Sequence, residues 1–401
     1  MMSGPPATPH LAILGAGPIG LEAALAASER GWGFTIYEAG STPAAHVRDW
    51  GHVRLFTPWS MNVSDRARAA LGTRAPDGPR LPTGHELADE LYGPLAELPA
   101  ITGRLRLGAR VLAVSRQGLL KHEEIGTGRR REHRFRLLVA GSDGAEAVEH
   151  ADVVLDCTGT YGNPNALGDG GIPAPGERAL ADRIVRRLPR FTDEAAAWAG
   201  RRILLTGAGH SAQTAARALA EFARNAPGTR VVWAVRAPAP MWGIVDDDPL
   251  PERAVLGAAA RELAAGASDA VDVRAGSVTE ALAPRGDTIA VALRNGEAEE
   301  VEVDRVLALN GGVGDFGIYR QLQVHECYAT AGPMKLAAAL LGAAGADCLA
   351  QPSPGPETLE TPEPGFFILG AKSYGRNSQF LLRVGWEQVR DVFALLETHS
   401  D

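Results

Sequence analysis

Two stretches of the chain carry the same alternation of apolar and polar positions. A short apolar run, Leu11 to Leu14, enters Gly15, an Ala- and Leu-rich stretch of helical character follows to Arg30, and a second apolar run, Phe34 to Tyr37, stops at Glu38. This order reads as strand, glycine turn, helix, strand. It returns later in the chain, with Arg202 to Leu205, the turn Gly207-Ala208-Gly209, a helix to about Arg224, and Val231 to Val235 stopping at Arg236. Two separate βαβ units are therefore predicted.

The segments between and after them fill in the outline. Ser41 to Asn62 is irregular, and a helix opens near Thr83. Arg104 to Val114 and His133 to Ala140 are β-rich, and the strand Asp152 to Asp156 runs into Cys157-Thr158-Gly159. The second unit has a comparable sequel in Val271 to Val278, Thr288 to Leu293, and Val303 to Leu309 running into Asn310-Gly311-Gly312. After a proline-rich loop, Gln351 to Gly365, come a last strand, Phe366 to Leu369, and a helix, Ser378 to Glu397, with Asn377 or Ser378 as its N-cap.

At 401 residues the chain is long enough for two or three domains. Its net charge of −8 argues against nucleic acid as a partner, because the densest basic run, Arg129 to Arg136, is interrupted by Glu132. Three cysteines, Cys157, Cys327 and Cys348, contain no C-x-x-C pair, which fits a reducing compartment. With no leader-like start and no apolar run of membrane-spanning length, a soluble cytoplasmic protein is expected. A homodimer is the default oligomer.

The turn Gly15-Ala16-Gly17-Pro18-Ile19-Gly20 has glycines where a dinucleotide-binding turn needs them, for the tight bend, the approach of a diphosphate and the packing of helix on strand. The helix N-terminus then offers free N–H groups to that diphosphate. Glu38, 23 residues after Gly15, suits the two hydroxyls of an adenosine ribose and repels a 2′-phosphate, which favours FAD or NAD. The second turn runs Gly207, Gly209, His210, Ser211, Ala212, and where the first unit has Glu38 it has Arg236. A guanidinium at that place suits the 2′-phosphate of NADPH. Two dinucleotides on one chain imply electron transfer between them, from NADPH to FAD.

These residues resemble the flavoproteins with two dinucleotide-binding domains, and among them the flavin-containing and Baeyer–Villiger type monooxygenases. The resemblance rests on GAGPIG with Glu38, on LPTGHELADELYGPL, on DVVLDCTGTYGNP followed by GIPAPGE, and on WAGRRILLTGAGHSA. It implies an α/β fold of two Rossmann-like domains with the NADPH domain inserted into the FAD domain: residues 1–162, then 163–325, then 326–401. Thr158 and Gly159 would link the two, and Gly370, Gln379 and Phe380 would complete the FAD site. The FxGxxxHxxxY/F type fingerprint of the monooxygenases is missing, and Gly370-Ala371-Lys372 stands where the superfamily often has Gly-Asp. The bacillithiol-disulfide reductases also resemble the GNPNALGDGGIPAPGE stretch.

The implied activity is a monooxygenase that inserts oxygen into a small molecule through a flavin peroxide, with molecular oxygen as co-substrate. The alternative is an NADPH-dependent flavoprotein reductase, dehydrogenase or thiol-linked oxidoreductase. Trp59 and Asn62 are candidates for the flavin surroundings, Asn62 as a hydrogen-bonding partner at its reactive edge. Lys372 and Arg376 are candidates to stabilise negative charge on reduced flavin. Trp242 is a candidate for the nicotinamide or substrate cleft, and Asp246 to Asp248 reads as a solvated turn. Cys157 reads as a packed core thiol. His325 and Cys327 would share a face if their segment is a strand, although a mixed-polarity loop is the plainer reading, and no metal-ligand spacing is present.

Overall fold

The computed structural model describes residues 8–243, 248–342 and 354–398. Cys348, Asp246 and Asp247 lie outside them. The chain divides into two compact units, one running to Asn163 and resuming at Val313, the other Pro164–Gly312. The return to the first unit thus falls at Gly312 and Val313 rather than at 325. The reason is packing: Ile318, Tyr319 and Leu322 are buried in the core of the first unit. At the two crossings Pro164 and Gly312 form an antiparallel bridge, and the Val313 N–H donates to the Asn163 carbonyl at 3.1 Å.

The first unit is built on a five-stranded sheet in the order Phe366–Ile368, Val153–Asp156, His10–Leu14, Gly33–Glu38, Leu105–Leu107. Every pairing is parallel, and the registers bring Leu14 opposite both Tyr37 and Asp156, with Asp156 opposite Ile368. The strand ends that carry Gly15, Glu38 and Thr158 therefore share one edge, as ligand sites in parallel sheets do. The helix Pro18–Glu29 is buried from Ile19 to Ala27 with no polar face. Its alanines allow the helices Asp65–Leu71 and Leu382–Thr398 to pack closely around it. Its one buried charge, Glu22, is held by the Ser64 hydroxyl at 2.6 Å and Arg66 at 2.5 Å, as a buried carboxylate requires.

The helix Leu382–Thr398 begins later than Ser378. Asn377 Oδ1 accepts from the Gln379 N–H at 2.9 Å, closing a local turn that competes with helix. A second, antiparallel sheet, Arg110–Arg116, Phe135–Ala140 and Glu146–Ala151, packs on the first unit. The expected piece Arg104 to Val114 is two strands in two sheets, divided at Gly108, whose φ of +65° admits a sharp change of direction. Beside this sheet Glu363 accepts from Arg116 at 2.7 Å and from Arg130 at 2.9 Å, all three side chains being buried.

The second unit repeats the plan, with the parallel order Val271–Ala275, Arg230–Val235, Arg202–Thr206, Arg305–Ala308, Ile184–Val185. Val278–Arg285, Thr288–Asn295 and Glu297–Val303 form an antiparallel sheet. Val271 to Val278 divides at Gly276, with φ +73°, and Val303 to Leu309 divides at Asp304, whose carboxylate accepts from the Arg202 N–H at 2.7 Å. Among the described residues no helix is long and apolar enough to cross a membrane.

Candidate functional site

Each unit places its glycine turn at the carboxyl end of the central strand of its parallel sheet, and the two turns are built alike. Gly15 and Gly207 have φ of +97° and +109°, a conformation a side chain would strain. Each also leaves no room for one: a Cβ on Gly15 would lie 3.0 Å from the Cys157 carbonyl oxygen, and on Gly207 it would lie 2.3 Å from that of Leu309. Gly20 is excluded from substitution by packing alone, its Cβ falling 1.9 Å from the Gly15 oxygen.

Gly17 and Gly209 differ from these. A Cβ on either would meet nothing within 4 Å, so the face they present is open. Both are N-caps without a side-chain cap, of the helices Pro18–Glu29 and His210–Asn225. Open backbone next to the free N–H groups of a first helical turn is the environment a diphosphate takes. The donor sets therefore fit two dinucleotides.

Glu38 is oriented by the backbone at the first turn. Its Oε2 accepts from the Ala16 N–H at 2.8 Å and its Oε1 from the Gly40 N–H at 2.7 Å. Each oxygen keeps a lone pair for a ribose hydroxyl. Arg236 is exposed at the end of Arg230–Val235 and makes no hydrogen bond or ion pair with another described residue. In the second unit the turn is braced by residues the sequence reading passed over. Trp233 Nε1 donates to the Gly207 carbonyl at 2.8 Å, and Gln213 Nε2 donates to the carbonyls of Ala208 and Trp242 at 2.8 and 3.2 Å. A glutamine at an apolar helix position directly after the turn is the signal that would have found the second brace. His210 and Ser211 are exposed at the start of the helix, and Ala212 is buried beneath it.

Several candidates are placed differently from expectation. Asn62 is buried, with its amide donating to the carbonyls of Thr57 and Pro58 at 2.8 Å each and its oxygen accepting from the Thr57 hydroxyl. Both donors are occupied by its own loop, so none is left for a flavin edge. Trp59 is 1% exposed and packs in the core. Trp242 packs against Trp233 with centroids 4.9 Å apart and the rings tilted by 48°, a packing role inside the second unit. His325 is exposed while Cys327 is buried in a turn closed by Cys327 N–H to the Gly332 carbonyl, so imidazole and thiol do not share a face.

Lys372 is fully buried in the short turn Gly370–Tyr374. Its ammonium donates to Asp156 Oδ2 at 2.6 Å, to the Asp315 carbonyl at 2.7 Å and to the Thr158 hydroxyl at 3.1 Å. With all three protons committed, it is not a direct partner for flavin. Arg376 is exposed, with its side chain free of ion pairs to described residues. Thr158 gives its N–H and hydroxyl to Asp156 Oδ1, at 3.2 and 2.7 Å, and Gly159, φ +69°, has nothing near its Cβ direction. Ile19 fills the space left by Gly370 and Gly385, with Phe380 beside it. Burial pushes the Cys157 thiol far up, as Asp156 does to a smaller degree, which keeps it protonated and unreactive.

No family model matches the sequence, and no curated protein does. Solved structures do resemble it. A bacillithiol disulfide reductase from Bacillus cereus is 17% identical, with 98% of this chain and 99% of that one aligned and a TM-score of 0.71. An ornithine N-hydroxylase from Kutzneria sp. 744, solved with reduced FAD, NADP+ and L-ornithine, is 14% identical over 98% and 100% of the two chains, with a TM-score of 0.67. The reduced form of an ornithine hydroxylase from Pseudomonas aeruginosa is 17% identical over 98% and 100%, with a TM-score of 0.66. The chain thus has the fold of the two-dinucleotide-binding-domain flavoproteins. Disulfide reductases and N-hydroxylases both use that fold.

Proposed function

We propose that this chain is an FAD-dependent oxidoreductase that draws its electrons from NADPH. The observation that carries the reading is the pair of matched turns with opposite partners, a fixed carboxylate at Glu38 and an exposed guanidinium at Arg236. The first unit then holds FAD, with the adenosine ribose on Glu38 and the diphosphate over Gly17. The second holds NADPH, with the 2′-phosphate on Arg236 and the diphosphate over Gly209. When bound, FAD supplies the two-electron chemistry, and the protein binds, orients and excludes water.

Within that class, transfer of an oxygen atom from molecular oxygen to a small molecule is the favoured outcome. Its support is the state of the thiols, because Cys157 is buried and protonated and Cys327 is buried in a turn of its own, so the described residues offer no dithiol to relay electrons. The second reading, a reductase without oxygen insertion, is favoured by the likeness to the bacillithiol disulfide reductase. A cytoplasmic setting, where NADPH is kept reduced, suits both.

The test begins with the purified protein, which should be yellow and should bleach on anaerobic addition of NADPH faster than with NADH. Admission of oxygen then separates the two readings. A slow return of colour through a blue-shifted transient supports oxygen insertion, and a single rapid return supports the reductase. A colourless protein that ignores NADPH removes the whole proposal.

A further inference from the structure

We propose that Lys372 is a positioning residue for the FAD cradle, acting through Asp156 and Thr158 on the turn that packs against Gly15. This inference rests on the assignment of FAD to the first unit. The cradle has two sides, the Gly15–Gly20 turn and the Cys157–Gly159 turn, and they are in direct contact. A Cβ on Gly15 would lie 3.0 Å from the Cys157 oxygen and 3.5 Å from the Thr158 Cα, and the Cys157 N–H donates to the Leu14 carbonyl at 3.0 Å. Any shift of residues 156–159 therefore moves the wall on which the Gly15 turn rests.

What fixes those residues is a buried chain of bonds. Asp156 Oδ1 takes the N–H and hydroxyl of Thr158, while Asp156 Oδ2 takes the ammonium of Lys372, which also reaches the Thr158 hydroxyl. Both charged side chains have no exposure at all. The third proton of Lys372 goes to the carbonyl of Asp315, in the segment where the chain re-enters the first unit. The aliphatic stem passes over Gly314, where a Cβ would fall 2.4 Å from Lys372 Cγ, so the glycine is needed for the lysine to reach. The Tyr319 ring covers the ammonium at 5.2 Å. Removing one partner of such a pair leaves a bare charge in the interior, whereas removing both charges together is far better tolerated.

The test compares wild type, K372M and the double variant D156N/K372M as full chains stripped of flavin and titrated separately with FAD and NADPH. The amide introduced by D156N keeps an oxygen for Thr158 while removing the unpaired charge. The expected result is that K372M weakens FAD binding by at least about tenfold and NADPH binding by less than about twofold, and that the double variant returns FAD affinity to within about threefold of wild type. Unchanged FAD binding in K372M overturns the inference and leaves the FAD assignment standing. Loss of both nucleotides in K372M and in the double variant also overturns it, by showing Lys372 to be needed only for folding. A wild-type chain without affinity for FAD overturns the assignment itself and the inference with it.

Discussion

Gly17 and Gly20 belong to one motif but do different work, and single substitutions separate the two. Gly20→Ala drives a methyl group into the Gly15 carbonyl oxygen, 1.9 Å from where its Cβ must lie, and is expected to destabilise the first unit by about 3 kcal/mol in a denaturant melt. Gly17→Ala has open space and an ordinary φ of −80°, so its melt should match wild type while FAD affinity falls by at least about tenfold, the methyl group occupying the diphosphate's approach. Arg236→Ala removes an exposed charge that has no ion-pair partner among the described residues. It should leave stability unchanged and cut the preference for NADPH over NADH by roughly tenfold to a hundredfold, read from the ratio of kcat/KM values. The placing of the motif glycines in turns and of Glu38 and Arg236 at strand ends was legible in the sequence because it depends on backbone freedom and on where an apolar run stops, both local properties. Lys372, Asn62 and Trp59 were not. Whether a lysine faces a ligand or a buried aspartate 216 residues away is decided by tertiary contact, which spacing along the chain does not report.

Among the elements, the helix that opens at Gly84 shows local sequence deciding local structure. Thr83 accepts from the Glu86 N–H at 3.2 Å, and Glu86 accepts in return from the Thr83 N–H at 2.6 Å, a complete capping box. Thr83→Ala is expected to cost about 1 kcal/mol at neutral pH. That backbone N–H holds the Glu86 carboxyl below its ordinary 4.5. A lowered carboxyl contributes stability above its unfolded value and loses it as pH falls through the folded value. Melts of wild type and Glu86→Gln should therefore differ at pH 7, and the difference should close only as pH falls from the ordinary 4.5 through the lower folded value. The strands flanking both glycine turns were readable because they are continuous apolar runs buried in parallel sheets. The divisions at Gly108 and Gly276 were hidden, because apolar content continues across them and only a positive φ marks the passage from one sheet to the other. The late start of the last helix was hidden by Asn377, which serves equally as a cap or as the head of a local turn.

For the molecule as a whole, the two crossings make the second unit a removable insertion. The Val313 N–H is bonded to the Asn163 carbonyl, so a short Gly-Ser linker joining these residues spans the gap left when 164–312 are deleted. The shortened chain should melt cooperatively, bind FAD and show no affinity for NADPH, which calorimetry of each titration would establish. The two-unit plan was visible from the repeated βαβ pattern, while the site of the return was not, since Ile318, Tyr319 and Leu322 reveal which core they join only once folded. The burial of Lys372 has one more consequence, for labelling chemistry. The sequence holds three lysines, and the other two, Lys121 and Lys335, are exposed in the first unit. Amine-directed crosslinkers, acetylating agents and fluorescent esters thus find two ammonium side chains on the folded protein, and on the inserted unit they find none.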